Sequence, residues 1–283
     1  MNLFEAIILG IIQGVTEFLP ISSTGHLTLA GQFMNLISVD HPERWTSFIA
    51  VIQLGTLISI LIYFRTEIIE ITASFLKENI SHRVKYQAQS SNSKLAWLIF
   101  LGTLPIVIIG LLFKDEIEGV LTKNLYVIAF SLIALAIILA IAEKISKQNK
   151  KIENTGVMEA IIIGLAQAMA LIPGSSRSGT TITGGLLVGL NRESAARFSF
   201  LLSIPAVFAS GLLQFIESLE YLDASAFLNL TAATLASAIS GYLAIDFLLK
   251  YLKKHSTFIF IYYRIIIGVL ILILLSMNII QPQ

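Results

Sequence analysis

The sequence predicts an all-α integral membrane protein with six transmembrane helices plus two re-entrant helical hairpins in an inverted-topology repeat. Three observations predict it. Of 283 residues, 55% are apolar and only 13% charged, at a mean hydropathy of +0.82, where a soluble chain carries about 25% charged residues. Six apolar stretches reach or approach the roughly 20 residues that a bilayer crossing needs. Four shorter apolar pieces come in two pairs, each pair broken by a turn rich in Pro, Gly and Ser.

In chain order, the first hairpin pairs 3–19 with 25–36, and crossings follow at 48–64, 95–113 and 125–142. The second hairpin pairs 157–172 with 179–190, ahead of crossings at 198–216, 227–249 and 259–277. Short broken pieces suit re-entrant segments better than full spans. Non-helical backbone survives at membrane depth only where protein or a watery cavity satisfies its polar groups, so two hairpins imply one shared polar cavity. The chain reads as a single polytopic domain, 1–283. Its opening, Met1-Asn2-Leu3-Phe4-Glu5, lacks the basic start of a signal peptide and no small-residue cleavage site follows, so the first apolar piece is expected to remain in the mature protein.

Two regions, about 1–64 and 155–216, repeat one another. Glu5-Ala6-Ile7-Ile8-Leu9-Gly10-Ile11-Ile12-Gln13-Gly14 matches Glu159-Ala160-Ile161-Ile162-Ile163-Gly164-Leu165-Ala166-Gln167-Ala168 at six of ten positions. After a one-residue shift Pro20-Ile21-Ser22-Ser23 meets Pro173-Gly174-Ser175-Ser176, and after a shift back Gly25 and Gly31 meet Gly179 and Gly185. An apolar bias supplies matching isoleucines, but not Glu, Gln, Pro and glycines in register. Three crossings separate the copies, so the second hairpin is expected to enter from the opposite face, an arrangement that frames a binding site near the midplane.

Lys and Arg placement gives the sidedness. Segments 65–94, 143–156, 191–197 and 250–258 hold 14 Lys or Arg, whereas the other side holds 3, Arg44, Lys114 and Lys123. The first set is expected to be cytoplasmic and both termini external, together with the acidic segment carrying Glu217, Glu220 and Asp223. A net charge of +1 supplies no basic field for nucleic acid, so no nucleic-acid partner is expected. The absence of cysteine removes disulfides, thiolate nucleophiles, iron–sulfur clusters and cysteine-bound zinc.

Polar chemistry concentrates at the two breaks. Gln13 and Glu17, four apart on one helix face, offer oxygen ligands for a hard divalent cation, Mg²⁺ or Ca²⁺; the alternative makes Glu17 the counter-ion of Arg177. Ser175-Ser176-Arg177-Ser178, with Thr181 a turn later, opens the second short helix, and a helix N-terminus with a guanidinium suits phosphate. Ser22 and Thr24 flank Ser23 as further substrate-binding groups. His26, three residues after Ser23, suits the base of an activated serine nucleophile, and equally a hydrogen-bonding helix contact; the Ser23 nucleophile is preferred to the competing assignments, His26 as nucleophile or as a base for water. Elsewhere, Asp246, Arg264 and Glu143 lie near span ends, where they snorkel or pair. His41, His82 and His255 lie in loops, and Glu5 and Glu159 open their helices, where acidic groups suit the dipole.

These residues resemble the undecaprenyl pyrophosphate phosphatase family, also called the bacitracin-resistance protein family. The run from Gln13 and Glu17 through Phe18-Leu19-Pro20-Ile21-Ser22-Ser23-Thr24-Gly25-His26 is similar to its first signature. The second, Pro-Gly-x-Ser-Arg-Ser-x-x-Thr, is met from Pro173 through Thr181. Ile52-Gln53-Leu54-Gly55 and Phe198-Ser199-Phe200-Leu201-Leu202 extend the resemblance over most of the chain, with one departure at Ile49, where many members carry an acidic residue. The resemblance implies hydrolysis of a polyprenyl pyrophosphate lipid at the outer side of the bacterial inner membrane, recycling the lipid carrier of peptidoglycan synthesis and conferring bacitracin resistance. Type-two phosphatidic acid phosphatases also combine Ser-Gly-His and Ser-Arg elements, but they need His where this chain has Thr183. An inverted-repeat transporter, flipping a phosphorylated polyprenyl lipid without cleaving it, is the rival from another class. Self-association is left open.

Because the chain has no cysteine, single cysteines placed at Asn2 and Gln281 report sidedness without background. Both are expected to react with an impermeant thiol reagent from outside intact cells; reaction of both only after the membrane is opened would reverse the assignment.

Overall fold

Helix α1, Leu3–Phe18, begins at a reciprocal cap: the Asn2 side chain accepts from the Glu5 amide at 2.9 Å while the Glu5 carboxylate accepts from the Asn2 amide at 2.7 Å. It ends because Pro20 forces the preceding Leu19 into an extended conformation. The chain then turns at Ser22 into α2, Ser23–Phe33. The second hairpin follows the same plan, with α7, Val157–Ala168, a 3₁₀ turn at Met169–Leu171, and α8, Arg177–Leu187. Between and after them lie α3 (Pro42–Tyr63), α4 (Arg65–Phe75), α5 (Ser91–Leu112), α6 (Leu125–Ile145), α9 (Arg192–Ser218), α10 (Ala224–Leu252) and α11 (Phe258–Ser276). The computed structural model describes residues 1–37, 42–113, 117, 124–219 and 224–282. His41, Lys114, Lys123, Glu220 and Asp223 lie outside the described residues.

All six apolar stretches fold as helices long enough to cross a membrane, with cores within Arg44–Tyr63, Ser91–Leu112, Leu125–Ile145, Arg192–Ser218, Ala226–Leu252 and Phe258–Ser276. The protein is thus an all-α, multi-pass membrane protein. Small residues set the packing of the short helices. Gly10 of α1 lies against the Ala233 backbone of α10, and Gly164 of α7 against the Gly102 backbone of α5, so each hairpin packs on a long helix far from it in sequence, as close-approaching membrane helices do. Phe18 meets Phe200 edge-on at 5.2 Å, joining α1 to α9 beneath the first break.

The helix starts and the caps of the two hairpins correspond at a spacing of 154. Ser22 and Ser176 are both N-caps with positive φ, 76° and 68°, and each hydroxyl accepts from the glycine amide three residues on. Asn35 and Gly189 end the helices in the left-handed region at 54° and 90°. The one-residue shift expected at the prolines holds there, since Leu19 and Ile172 are both extended ahead of Pro20 and Pro173, but the return to the first register comes before the serines rather than after them: Ser22 matches Ser176 and Ser23 matches Arg177. Both helices also start two residues earlier than expected, because the capping serine places the glycine at the third helical position.

Charged connections gather at one end. Arg197 pairs with Glu67 at 2.9 Å, Lys253 with Glu193 at 3.3 Å, and Arg192 with Glu143, whose other oxygen accepts from Thr257 at 2.8 Å. These contacts join all four Lys- and Arg-rich segments. Asp246 and Glu143 pair as expected, and His82 and His255 are exposed. Both ends of the first hairpin lie by the starts of α3 and α10, where Gly31 rests on Trp45 and Met1 accepts from Asn229. Both ends of the second lie by the 143–156 connection, where Lys150 bonds Gly189 and pairs with Glu159.

A side chain at Gly10 would collide with the Ala233 carbonyl. Gly10→Leu is expected to destabilise the protein by about 1–3 kcal/mol, read as a lower melting temperature in detergent.

Candidate active site

Glu17 occupies the last turn of α1, buried at 5% exposure, and each of its oxygens is met by donors. Oε2 accepts from Gln13 Nε2 at 2.9 Å and from Ser23 Oγ at 2.6 Å, and Oε1 accepts from Arg177 Nη2 at 2.7 Å. Gln13 reaches it because i and i+4 share a helix face. Ser23 reaches it because the break folds α2 back over α1, and Arg177 because it holds the equivalent position on α8. The ion pair foreseen as the alternative role of Glu17 is thus formed.

Glu17, Ser23 and Arg177 close the polar end of a cavity of about 430 Å³, with Gln13 wholly buried behind Glu17 and outside the lining. Glu17, Ser22, Ser23 and Thr24 line it from the first hairpin, Ser176 and Arg177 from the second. Ile106, Val107 and Leu111 of α5 with Val207 and Leu213 of α9 make its walls largely apolar, and Ile49 lies there too. The first turns of α2 and α8 both border the cavity, and the opening amides of a helix lack intrahelical acceptors. Two positive dipole ends and a guanidinium therefore meet where an anion is favoured. Arg177 Nη1, buried without a partner, is a donor for such an anion.

Other expected groups stand elsewhere. His26 does not line the cavity. Its Nδ1 lies 2.7 Å from the Ser22 carbonyl, which can only accept, so Nδ1 carries a proton, and Nε2 lies in hydrogen-bond contact with the Tyr263 hydroxyl at 2.8 Å. The Ser23–His26 pairing expected from their spacing is not formed, because the backbone and Tyr263 claim both ring nitrogens and Glu17 claims the serine. Ser175 is wholly buried and donates to Met169 and Ile172 carbonyls, knitting its own break. Ser178 donates to the Leu19 carbonyl at 3.0 Å and so stitches one break to the other. Thr181 bonds the Arg177 carbonyl at 2.7 Å and Ser199 at 2.5 Å, steadying α8 against α9.

Arg264 departs furthest from expectation. Instead of snorkelling it is wholly buried, donating to the Ser175 carbonyl at 2.9 Å and the Leu132 carbonyl at 3.3 Å. Its place inside the apolar run of α11, rather than at an end, was the available signal, and the adjoining Tyr263 carried none.

For a divalent cation, Glu17 and the buried, unpartnered Oε1 of Gln13 supply oxygens. Among the described residues no cluster of three or more His, Cys, Asp or Glu occurs, so a cation here fits only with further oxygens from bound phosphate and water, the habit of magnesium.

A family model, bacitracin resistance protein BacA, matches residues 6–270. The chain belongs to the BacA family. Among curated BacA relatives, the undecaprenyl-diphosphatase of Syntrophobacter fumaroxidans is 55% identical over 268 residues, covering 95% of each chain. That of Chloroherpeton thalassium is 50% identical over 98% of each, and that of Chlorobium phaeovibrioides 49% over the full length of both.

In this BacA-family site the guanidinium binds Glu17 with one nitrogen and leaves another to an anion. A lysine supplies charge without that fork, so Arg177→Lys is expected to cost about 100-fold in activity, with the protein still folded. Wild-type turnover by this variant would reduce Arg177 to a generic positive charge.

Proposed function

We propose that this protein hydrolyses undecaprenyl diphosphate to undecaprenyl phosphate and inorganic phosphate. The observation that carries the reading is the Ser23 hydroxyl donating to Glu17 while Arg177 holds the other carboxylate oxygen, at the polar end of an apolar-walled cavity. A lipid diphosphate matches both halves of that cavity, and the relatives' name supports the assignment.

The Ser23 oxygen attacks the terminal phosphorus as its proton passes to Glu17. The bond from that phosphorus to the bridging oxygen breaks, and undecaprenyl phosphate leaves. Arg177 and the opening amides of α2 and α8 hold the phosphate oxygens as charge develops. Glu17 passes the serine's proton to the departing phosphate oxygen and, ionised again, takes a proton from water. The water oxygen attacks the phosphorus, the bond to Ser23 Oγ breaks, and the proton held by Glu17 returns to the serine. Glu17 thus takes the base role that the spacing had suggested for His26. A divalent cation, magnesium or calcium, belongs to the proposal: held by Glu17 and Gln13 together with substrate oxygens, it would neutralise diphosphate charge.

We further propose the inverted arrangement: both hairpins re-entrant from opposite faces, the site opening to the outer side of the bacterial cytoplasmic membrane. The constant spacing of the caps and the return of each hairpin's ends to one place support it. Such placement suits recycling of a peptidoglycan lipid carrier and resistance to bacitracin. Every group invoked comes from one chain, so no second copy is required.

Purified protein is expected to release phosphate from undecaprenyl diphosphate. Ser23→Ala and Glu17→Gln are each expected to lose about 1,000-fold or more, and together no more than either alone, since they act as one unit. A trapped phosphoenzyme should be acid-stable. Lipid movement without phosphate release would favour the transporter; an acid-labile phosphoenzyme persisting in Ser23→Ala would move the nucleophile to His26.

A further inference from the structure

We infer that Tyr263 and Arg264, neighbours on α11, are positioning residues that together hold the two breaks in the alignment the reaction needs. The inference rests on the proposed hydrolysis and concerns groups that reaction does not itself use.

Arg264 is a wholly buried cation inside a membrane-spanning helix, and among the described residues no carboxylate pairs with it. Such a residue is costly and points to a task. Its bonds run to backbone alone: Leu132 on α6, and Ser175 in the second break, one residue before the strained cap Ser176. Gly179 leaves room for it, since a Cβ there would sit 2.6 Å from Nη1. The guanidinium therefore fills the space behind the first turn of α8 and fixes the carbonyl from which Ser176 and Arg177 project.

Tyr263 does the corresponding work on the first break through His26. The two rings stack with centroids 5.6 Å apart and 7° between planes, the hydroxyl meets Nε2, and Nδ1 holds the carbonyl of the other strained cap, Ser22. Positive φ at a serine persists only where the surroundings impose it. One dipeptide thus restrains both caps, the residues directly after which are Ser23 and Arg177. Those two side chains meet on opposite oxygens of Glu17, so their separation depends on both restraints. Misplacement by about 1 Å costs on the order of 100-fold in rate.

The test uses full-length protein in detergent, with undecaprenyl diphosphate as substrate and inorganic pyrophosphate as inhibitor. Tyr263→Phe, which removes one hydroxyl, is expected to lower kcat about tenfold with KM and melting temperature unchanged. Tyr263→Phe added to His26→Asn should lose nothing more than His26→Asn alone, because both act through the Ser22 carbonyl. Arg264→Lys should lower kcat about 100-fold while pyrophosphate still inhibits. Wild-type kcat in folded Tyr263→Phe, a raised KM at unchanged kcat, or additive losses would overturn the inference; if Arg264→Lys does not accumulate, Tyr263→Phe decides alone. A wild type that releases no phosphate overturns the functional reading and this inference with it, whereas an active wild type with unaffected variants overturns this inference only.

Discussion

A carboxylate buried inside a membrane protein is costly unless it is paired and hydrogen-bonded, and Glu17 meets that demand with three donors drawn from three places. Gln13 comes from its own helix, Ser23 from the returning helix, and Arg177 from the other half of the chain. Each requirement shapes the fold. Ser23 arrives only if α1 stops at Leu19 and α2 folds back; Arg177 arrives only if a second, matching break lies opposite. Removing Arg177 would leave a buried charge lacking its counter-ion, so site and architecture depend on the same ion pair.

The breaks carry a second burden, the exposed backbone groups that bending a helix creates. Water cannot serve them inside a bilayer, and the sequence supplies short polar side chains instead. Ser175 turns to Met169 and Ile172, Ser178 to Leu19, His26 to Ser22, and Arg264 to Ser175. This explains why a cluster that reads as a row of substrate ligands divides in two. Ser22, Ser23 and Ser176 line the cavity, while Ser175 and Ser178 donate to backbone carbonyls away from it. What remains for a ligand is positive: two helix N-termini and the spare nitrogen of Arg177, beside apolar walls.

Six crossings, two broken hairpins and the polar residues at their turns were legible in the sequence, because hydropathy over some twenty residues and the punctuation by Pro, Gly and Ser follow directly from the bilayer's refusal of unpaired backbone. The identity of the family was legible for a related reason: Gln13, Glu17, Ser23, Arg177 and the serines around them form long local signatures. Partnership was legible only for Glu17, whose pairing with Arg177 and shared face with Gln13 the sequence offers. Spacing put His26 near Ser23, yet Glu17 from the preceding helix takes the hydroxyl and Tyr263, 237 residues away in sequence, takes the imidazole. Arg264 reads in the sequence as a residue near a span end, yet it lies wholly buried behind the second break. The shift at the prolines is present at Leu19 and Ile172, but equal backbone angles at Ser22 and Ser176 show that it ends before the serines. Local chemistry determines where a helix stops and which side chains stand at the stop; which of them face one another is set by long-range packing, such as Gly10 on Ala233 and Gly164 on Gly102, and that only the tertiary structure decides.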